Sequence, residues 1–231
     1  METIVSGFIK ALVLIVSMDP DLYSIILLSL KVSGGAVLVA SLAGIPVGAA
    51  CALRRFTGRR VLVLLFNTFM GFPPVVAGLL IYLFLSRSGP LGFMGLLYSP
   101  GAMVIAQSVI AFPIIAGLSW SAAASVSPRI RETAITLGAS GFSVDWRVIS
   151  EARMQILSAV IAGFGRAIAE VGAVLIVGGN ISGYTRVMTT AIAMETGKGS
   201  FELAIALGIV LMLVAFIANI LLRLAQGGMA R

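Results

Sequence analysis

The chain contains no histidine and a single cysteine, Cys51. The first absence removes the usual imidazole metal ligand and the easiest proton relay. The second excludes a disulfide within the chain. No G-x-x-x-x-G-K-[ST] phosphate loop occurs, so the chain carries no nucleotide site of that type. No ligand cluster and no nucleophile–base set marks a metal or catalytic site. Charge is scarce too. Asp, Glu, Lys and Arg make up 11% of the 231 residues, against about 25% in a soluble domain. Hydrophobic residues make up 59%, and the mean hydropathy is +1.10. Polar surface is too scarce to solvate a globule, so the chain reads as an integral membrane protein. Its net charge of +7 then reads as loop bias and not as a nucleic-acid surface. No cleaved secretory signal is expected. Glu2 stands where a basic segment would be, and Asp19, Pro20 and Asp21 follow the apolar stretch in place of small residues.

What is present is apolar and long. A span needs about 20 apolar residues, so the length allows five or six and no sizeable soluble domain. Residues 1–231 are expected to form a single transmembrane domain. Five runs are clear, at 22–53, 61–85, 101–124, 154–178 and 201–224. The run 3–16 is short for a span and carries Lys10. Its Ile4, Phe8, Ala11, Leu12 and Ile15 recur at helical spacing. Segment 1–20 therefore reads as an amphipathic helix at the membrane surface, with a sixth, short span as the competing reading. Orientation follows the basic residues. Arg54, Arg55, Arg59 and Arg60 place the first loop in the cytoplasm. Alternation then puts 86–100 outside, 127–151 inside, 180–200 outside, and the tail with Arg223 and Arg231 inside. The island 127–151 and its edge supply Arg129, Arg131, Arg147 and Arg153, whereas the outer loops hold Arg87, Arg186 and Lys198.

Ala36, Ala40, Gly44, Gly48 and Ala52 recur every four residues. Such a stripe admits another backbone closely, either within the subunit or at a seam between subunits. Pro46 is expected to kink that helix. Asn67, Gly71, Pro73 and Pro74 interrupt the second run, and Pro113 the third. Broken helices at membrane depth are tolerated where protein or a water-filled cavity covers the freed backbone, which favours a transport path. Arg166 and Glu170 lie inside the fourth run. A charge at the bilayer centre costs about 2.5–3.5 kcal/mol on the insertion scale, and spacing i, i+4 lets the two pair. One reading is a self-neutralising pair that fixes packing. The other is a polar lining in which Arg166 offers an anion a transient partner. Gly163, Gly165 and Gly172 suggest close packing beside them.

The island 127–151 is the one sizeable polar segment between apolar runs. Ser127 is suited to cap a helix and Pro128 to open it. Residues 129–137 read as helix, and Gly138 as its left-handed stop. Ile130, Ala134 and Leu137 share one face; Arg129, Thr133 and Thr136 lie away from it. Gly141 allows a second turn, and Ser143 is expected to cap a second short helix through Arg147. A helical polar loop between two spans is built to dock.

Glu132, Thr133 and Ala134, then three residues, then Gly138 resemble the E-A-A-x3-G signature of bacterial ABC importer permeases. Thr133 replaces its first alanine, Val148 its later isoleucine, and Ser150 and Glu151 its Leu-Pro end. Segments 71–92, 165–181 and 185–209 are similar to the oxyanion branch of these permeases, which carries tungstate, molybdate and sulfate, the tungstate members most of all. The resemblance implies an all-α type I importer transmembrane domain of five spans, six being the alternative. It implies a homodimer with two ATPase subunits, which hold ATP and Mg, and an extracytoplasmic oxyanion-binding protein; this chain itself would bind no cofactor. It casts Arg129, Arg131, Glu132, Ala134, Leu137 and Gly138 as the coupling helix to the ATPase. A tetrahedral dianion needs hydrogen-bond donors in place of water, and Arg166, Asn180, Thr185, Arg186, Thr189 and Thr190, with Glu170 beside Arg166, are the pathway candidates. Ala40, Gly44 and Gly48 are the packing candidates. The rivals are an ion-coupled secondary transporter, for which Glu170 is the lone intramembrane carboxylate, a membrane enzyme, and a membrane anchor.

Overall fold

A computed structural model describes residues 2–227. Among them the chain is helical, with no strand. The helices are α1 (Glu2–Val16), α2 (Pro20–Leu53), α3 (Arg59–Met70), α4 (Pro74–Leu85), α5 (Pro100–Ala124), α6 (Pro128–Thr136), α7 (Gly141–Ile168), α8 (Gly172–Gly178), α9 (Met188–Lys198) and α10 (Phe201–Gly227), with a 3-10 turn at Gly92–Met94. By length and composition α2, α5, α7 and α10 each suffice to cross a membrane, and α3 and α4 together pass the same test, bent by 106°. Arg59, Arg60 and Val63 lie against Trp120 near one end of α5, whereas Leu85 joins the core with Ala102 and Met103 near the other. The bent pair therefore runs the length of α5 and counts as a fifth, broken span. Pro73 and Pro74 have no N–H to extend the ladder, and Gly71 and Phe72 close the end of α3 onto Thr68 and Phe69.

Aspartate and proline start α2 as the sequence leads one to expect. The Asp19 carboxylate accepts the Leu22 N–H at 2.9 Å, and Pro20 opens the helix. The small-residue stripe faces α5 of the same chain. A Cβ on Gly48 would lie 2.2 Å from the Ala116 carbonyl oxygen, and one on Gly44 3.3 Å from the Ala116 nitrogen. Ala36 and Ala40 are buried on the same seam, and the Ser108 hydroxyl donates to the Ala36 carbonyl at 3.1 Å. Pro46 and Pro113 sit inside continuous helices, so the interruption expected at Pro113 does not occur. Gly163 admits Ile115 of α5, and Gly78 of α4 admits the backbone of Ala173 in α8.

Four other expectations are corrected. In α1 the packed stripe is Ala11, Leu14 and Ile15, set against α2 and α10, while Phe8 and Leu12 face outward; the side chains of Ile4 and Lys10 lie outside the described set. The fourth apolar run is not one helix, because α7 ends at Ile168 and the chain resumes as α8. The short helix expected to begin at Ser143 is the first turns of α7. Its cap is Ser140, whose hydroxyl accepts the Ser143 N–H. Residues 180–200, expected as a loop, contain α9, packed on α10 with Met188, Thr189, Thr190, Ala191 and Glu195 buried. Arg231 lies outside the described residues.

Candidate functional site

The break between α7 and α8 is built around a carboxylate. Glu170 is 3% exposed. One of its oxygens receives Arg166 Nη1 at 2.8 Å and the other receives the Ala173 N–H at 3.1 Å. Its backbone carbonyl accepts the Thr189 hydroxyl at 2.8 Å. The side chain thus ties the last turn of α7 to the first turn of α8, and its main chain ties both to α9. A buried carboxylate is tolerated only with such partners. Gly172 permits the approach of α4, since a Cβ there would lie 2.7 Å from Val75. Gly165 has no neighbour within that reach, so close packing holds on the Gly163 and Gly172 sides alone.

The Arg166 side chain is 32% exposed, and its setting is open. Ala162, Gly165 and Ala169 beside it are exposed as well, and 162, 165, 166 and 169 share one helical face. Toward the other end of α7 the same face continues as Ser158 and Gln155. There it lines a cavity of about 400 Å³ with Ser121, Ser125 and Leu118 of α5 and the loop after it. A strip of small and polar side chains therefore runs from Gln155 to Arg166 in an otherwise apolar helix pair. The sequence reading missed Gln155, Ser158, Ser121 and Ser125. The signal was the recurrence of small or polar residues at 155, 158, 162, 165, 166 and 169.

The remaining donor candidates gather in the turn between α8 and α9. The Thr185 hydroxyl donates to the Gly178 carbonyl at 2.6 Å and accepts the Ile181 N–H at 2.9 Å, so it closes the turn. The Thr190 hydroxyl caps α9 through Val187. Asn180 has a left-handed backbone with φ 52°; its Nδ2 meets Met194 Sδ at 3.4 Å and its Oδ1 is buried without a partner. Arg186 is half-buried, with Nε lacking a hydrogen-bond partner. Arg166 and Arg186 are the cations in this set.

At the far end of α7 the polar loop is well formed. Pro128 opens α6. The Ser127 side chain makes no capping bond; its carbonyl accepts the Ile130 N–H at 3.0 Å. Gly138 turns the chain with φ 79°, and the Ala139 N–H reaches back to the Ala134 carbonyl at 3.0 Å. Ile130 and Ala134 are half-buried, but Leu137, placed on their face by periodicity, is 82% exposed. Ile135, Phe142 and Trp146 are exposed with it. Arg129, Ile130, Thr133, Leu137 and Arg147 border a groove of about 550 Å³ between α6 and α7; Glu132 lies exposed beside it. Two contacts invisible in the sequence hold this loop against α2. Arg54 pairs with Asp145 at 2.5 Å, and Arg131 Nη1 reaches the Leu53 carbonyl at 3.5 Å.

Broken spans, an open polar strip and an exposed helical loop between two spans define a membrane transport component and not an anchor. The chain belongs to the family of binding-protein-dependent transport system inner membrane components, which matches residues 44–231. It is 44% identical to the tungstate uptake system permease protein TupB of Peptoclostridium acidaminophilum, across 95% of this chain and 96% of that one. It is 43% identical to a probable anion ABC transporter permease protein of Haloferax volcanii, across 87% and 88%. In fold it matches a crystal structure of an amino acid ABC transporter with histidines, with a TM-score of 0.70 over 93% of this chain and 97% of the other at 20% identity. The chain is thus a multi-pass ABC importer permease.

Proposed function

We propose that the chain is the membrane-spanning subunit of an ATP-driven tungstate importer. The observation that carries the reading is the 44% identity to a tungstate permease along almost the full length of both chains. Two copies would form the pathway, two ATPase subunits would bind ATP and Mg, and an extracytoplasmic binding protein would deliver the anion. The loop 127–151 and the C-terminus face the cytoplasm in this reading. The arginine distribution supports that orientation.

The geometry suggests how force would travel. Leu137, Phe142 and Trp146 form an exposed apolar surface at the loop, suited to a cleft on the ATPase. The coupling residues Arg129, Arg131, Glu132, Ala134, Leu137 and Gly138 shape that surface. α7 runs without a break from Gly141, beside the loop, to Ile168, beside Arg166. Its 28 residues span about 42 Å at 1.5 Å per residue. Closure of the ATPases would thus move a rigid lever whose far end holds the Arg166–Glu170 junction. The strip from Gln155 to Arg166, with Asn180 and Arg186 beyond, would line the route. A dianion there gains charge-assisted donors in place of water. Thr185, Thr189 and Thr190 would act by holding the turn and α9, since their hydroxyls already donate to main-chain carbonyls.

The test is uptake. Tungstate, molybdate and sulfate are supplied separately to cells that express the chain with its ATPase and binding protein, and accumulated anion is measured. Leu137→Asp runs alongside, because an exposed position leaves membrane insertion intact. Tungstate uptake that disappears with Leu137→Asp is expected. Uptake of molybdate or sulfate in its place changes the substrate. Uptake that survives removal of the ATPase overturns the mechanism.

A further inference from the structure

The start of α3 and the end of α5 enclose a cavity of about 360 Å³ that the transport reading leaves unused. Arg59, Arg60, Val63 and Trp120 line it. Nearby arginines are engaged: Arg54 pairs with Asp145 and Arg131 reaches the Leu53 carbonyl. Among the described residues, no acidic side chain pairs with Arg59 or Arg60. Two guanidinium groups on one cavity, without a counter-ion from the protein, present a fork geometry suited to the oxygens of a phosphate. Trp120 completes the lining; its indole Nε1 is buried without a hydrogen-bond partner. Tryptophan is enriched at the depth of lipid headgroups.

The surroundings distinguish an amphiphile from a small ion. Below the arginines, α3 exposes Val61, Leu64, Leu65 and Phe69, and Leu64 lies one turn from Arg60. Guanidinium groups and aliphatic surface thus follow one another along α3, with the Trp120 indole of α5 beside the guanidinium end. That order matches a phosphate head with an acyl chain beneath it, whereas a soluble oxyanion would make no use of the aliphatic stretch. We propose that Arg59, Arg60 and Trp120 form a binding site for the phosphate of an anionic phospholipid, whose chain lies along α3. The occupant would brace the first half of the broken span against α5. The leaflet rests on the orientation proposed above; the site itself does not.

The experiment is native mass spectrometry of the purified full chain after incubation with mixed vesicles of phosphatidylcholine and phosphatidylglycerol. Phosphatidylglycerol is expected to be retained preferentially. Arg59→Gln with Arg60→Gln is expected to lower its retention roughly thirtyfold, given about 1 kcal/mol for each of the two basic residues at an anionic surface. Arg59→Lys with Arg60→Lys, which keeps the charge and loses the fork, should fall between wild type and the glutamine pair, and Arg55→Gln, outside the cavity lining, should leave retention unchanged. Arg60→Gln alone, at an exposed position, provides the same test if the double variant folds poorly. Equal retention of both lipids, or loss that follows Arg55→Gln as strongly, overturns the site. Displacement of the lipid by inorganic phosphate overturns the lipid assignment and makes the cavity a free-oxyanion site. Uptake of tungstate enters none of these readouts, so the site and the transport reading fail separately.

Discussion

Arg166 and Glu170 meet at 2.8 Å across the end of a helix, not along one. The carboxylate sits in the break and uses its second oxygen on the first turn of α8. Removing either partner therefore has unequal consequences. Arg166→Ala leaves a buried carboxylate with the Ala173 N–H and loses its charge partner. The expected destabilisation is about 1–2 kcal/mol, in the lower part of the range for an unsatisfied buried group because Arg166 is partly open to solvent. Glu170→Ala removes the partners of both Arg166 and the Ala173 N–H and is expected to be the more damaging. Glu170→Gln retains an acceptor for Ala173 and should fall between wild type and Glu170→Ala. Thermal unfolding of the purified protein in detergent checks the order. Equal effects of Glu170→Gln and Glu170→Ala would show that charge alone matters at the junction.

The Arg54–Asp145 pair makes a different kind of prediction. Arg54 is 65% exposed and Asp145 13%, so the pair is worth about 0.2–1 kcal/mol in stability, and either single substitution should barely shift the unfolding temperature. Its position matters more, because it clasps the end of α2 to the first turn of α7. Arg54→Asp and Asp145→Arg are each expected to lower transport per ATP hydrolysed, and the exchanged pair to recover it. The ratio of uptake to hydrolysis in proteoliposomes measures this. Failure of the double variant to recover would assign the two residues separate roles.

These contacts mark where the sequence stopped being legible. Continuous hydrophobicity found the five apolar runs and the basic residues suggested their orientation, and Gly138 was readable as a stop because a left-handed turn favours glycine. The i, i+4 pair was readable from spacing alone. The break at 169–171 was not, because Ala169, Glu170 and Val171 include neither glycine nor proline. It exists because Glu170 accepts from Ala173 and Thr189, and Thr189 is 19 residues away. The run 180–200 resembled a loop, with Asn180, Gly183, Gly197 and Gly199. Thr185 and Thr190 are buried because their hydroxyls bond locally to the main chain, and Thr189 because its hydroxyl reaches Glu170, neither of which composition reveals. The choice of Ser140 over Ser143 as the cap of α7 turns on backbone geometry that either serine could have supplied.

The seam between α2 and α5 predicts a gradient. Alanine at Gly48 places a methyl carbon 2.2 Å from a main-chain oxygen, at Gly44 about one ångström farther from its nearest neighbour, and at Gly34 near nothing within 4 Å. Backbone cannot yield as a side-chain tip can, so Gly48→Ala is expected to destabilise by about 1–3 kcal/mol, the usual range for overpacking. Gly44→Ala should cost less. Gly34→Ala should be neutral or stabilising, since alanine is the better helix former by about 1 kcal/mol. Unfolding temperatures of the three variants test this, and a large loss at Gly34 would point to a second chain seated on that face.

Ser29 offers the sharpest test of the α9 packing. Its buried hydroxyl donates to the Ile25 carbonyl at 2.7 Å and accepts the Met188 N–H at 2.8 Å, across 159 residues of chain. Met188 is fully buried and stands in the first turn of α9, where a helix has no main-chain acceptor to offer its own N–H groups. Ser29→Ala leaves that donor unpartnered and removes little volume, so its expected cost is about 1–3 kcal/mol. Ser29→Thr keeps the oxygen and should retain much of the stability. Hydrogen exchange at Met188 separates the two outcomes. Faster exchange there in Ser29→Ala, with α7 unchanged, is expected. If protection at Met188 is unaltered, α9 is held without Ser29, by α10 and by the Thr189 and Thr190 hydroxyls.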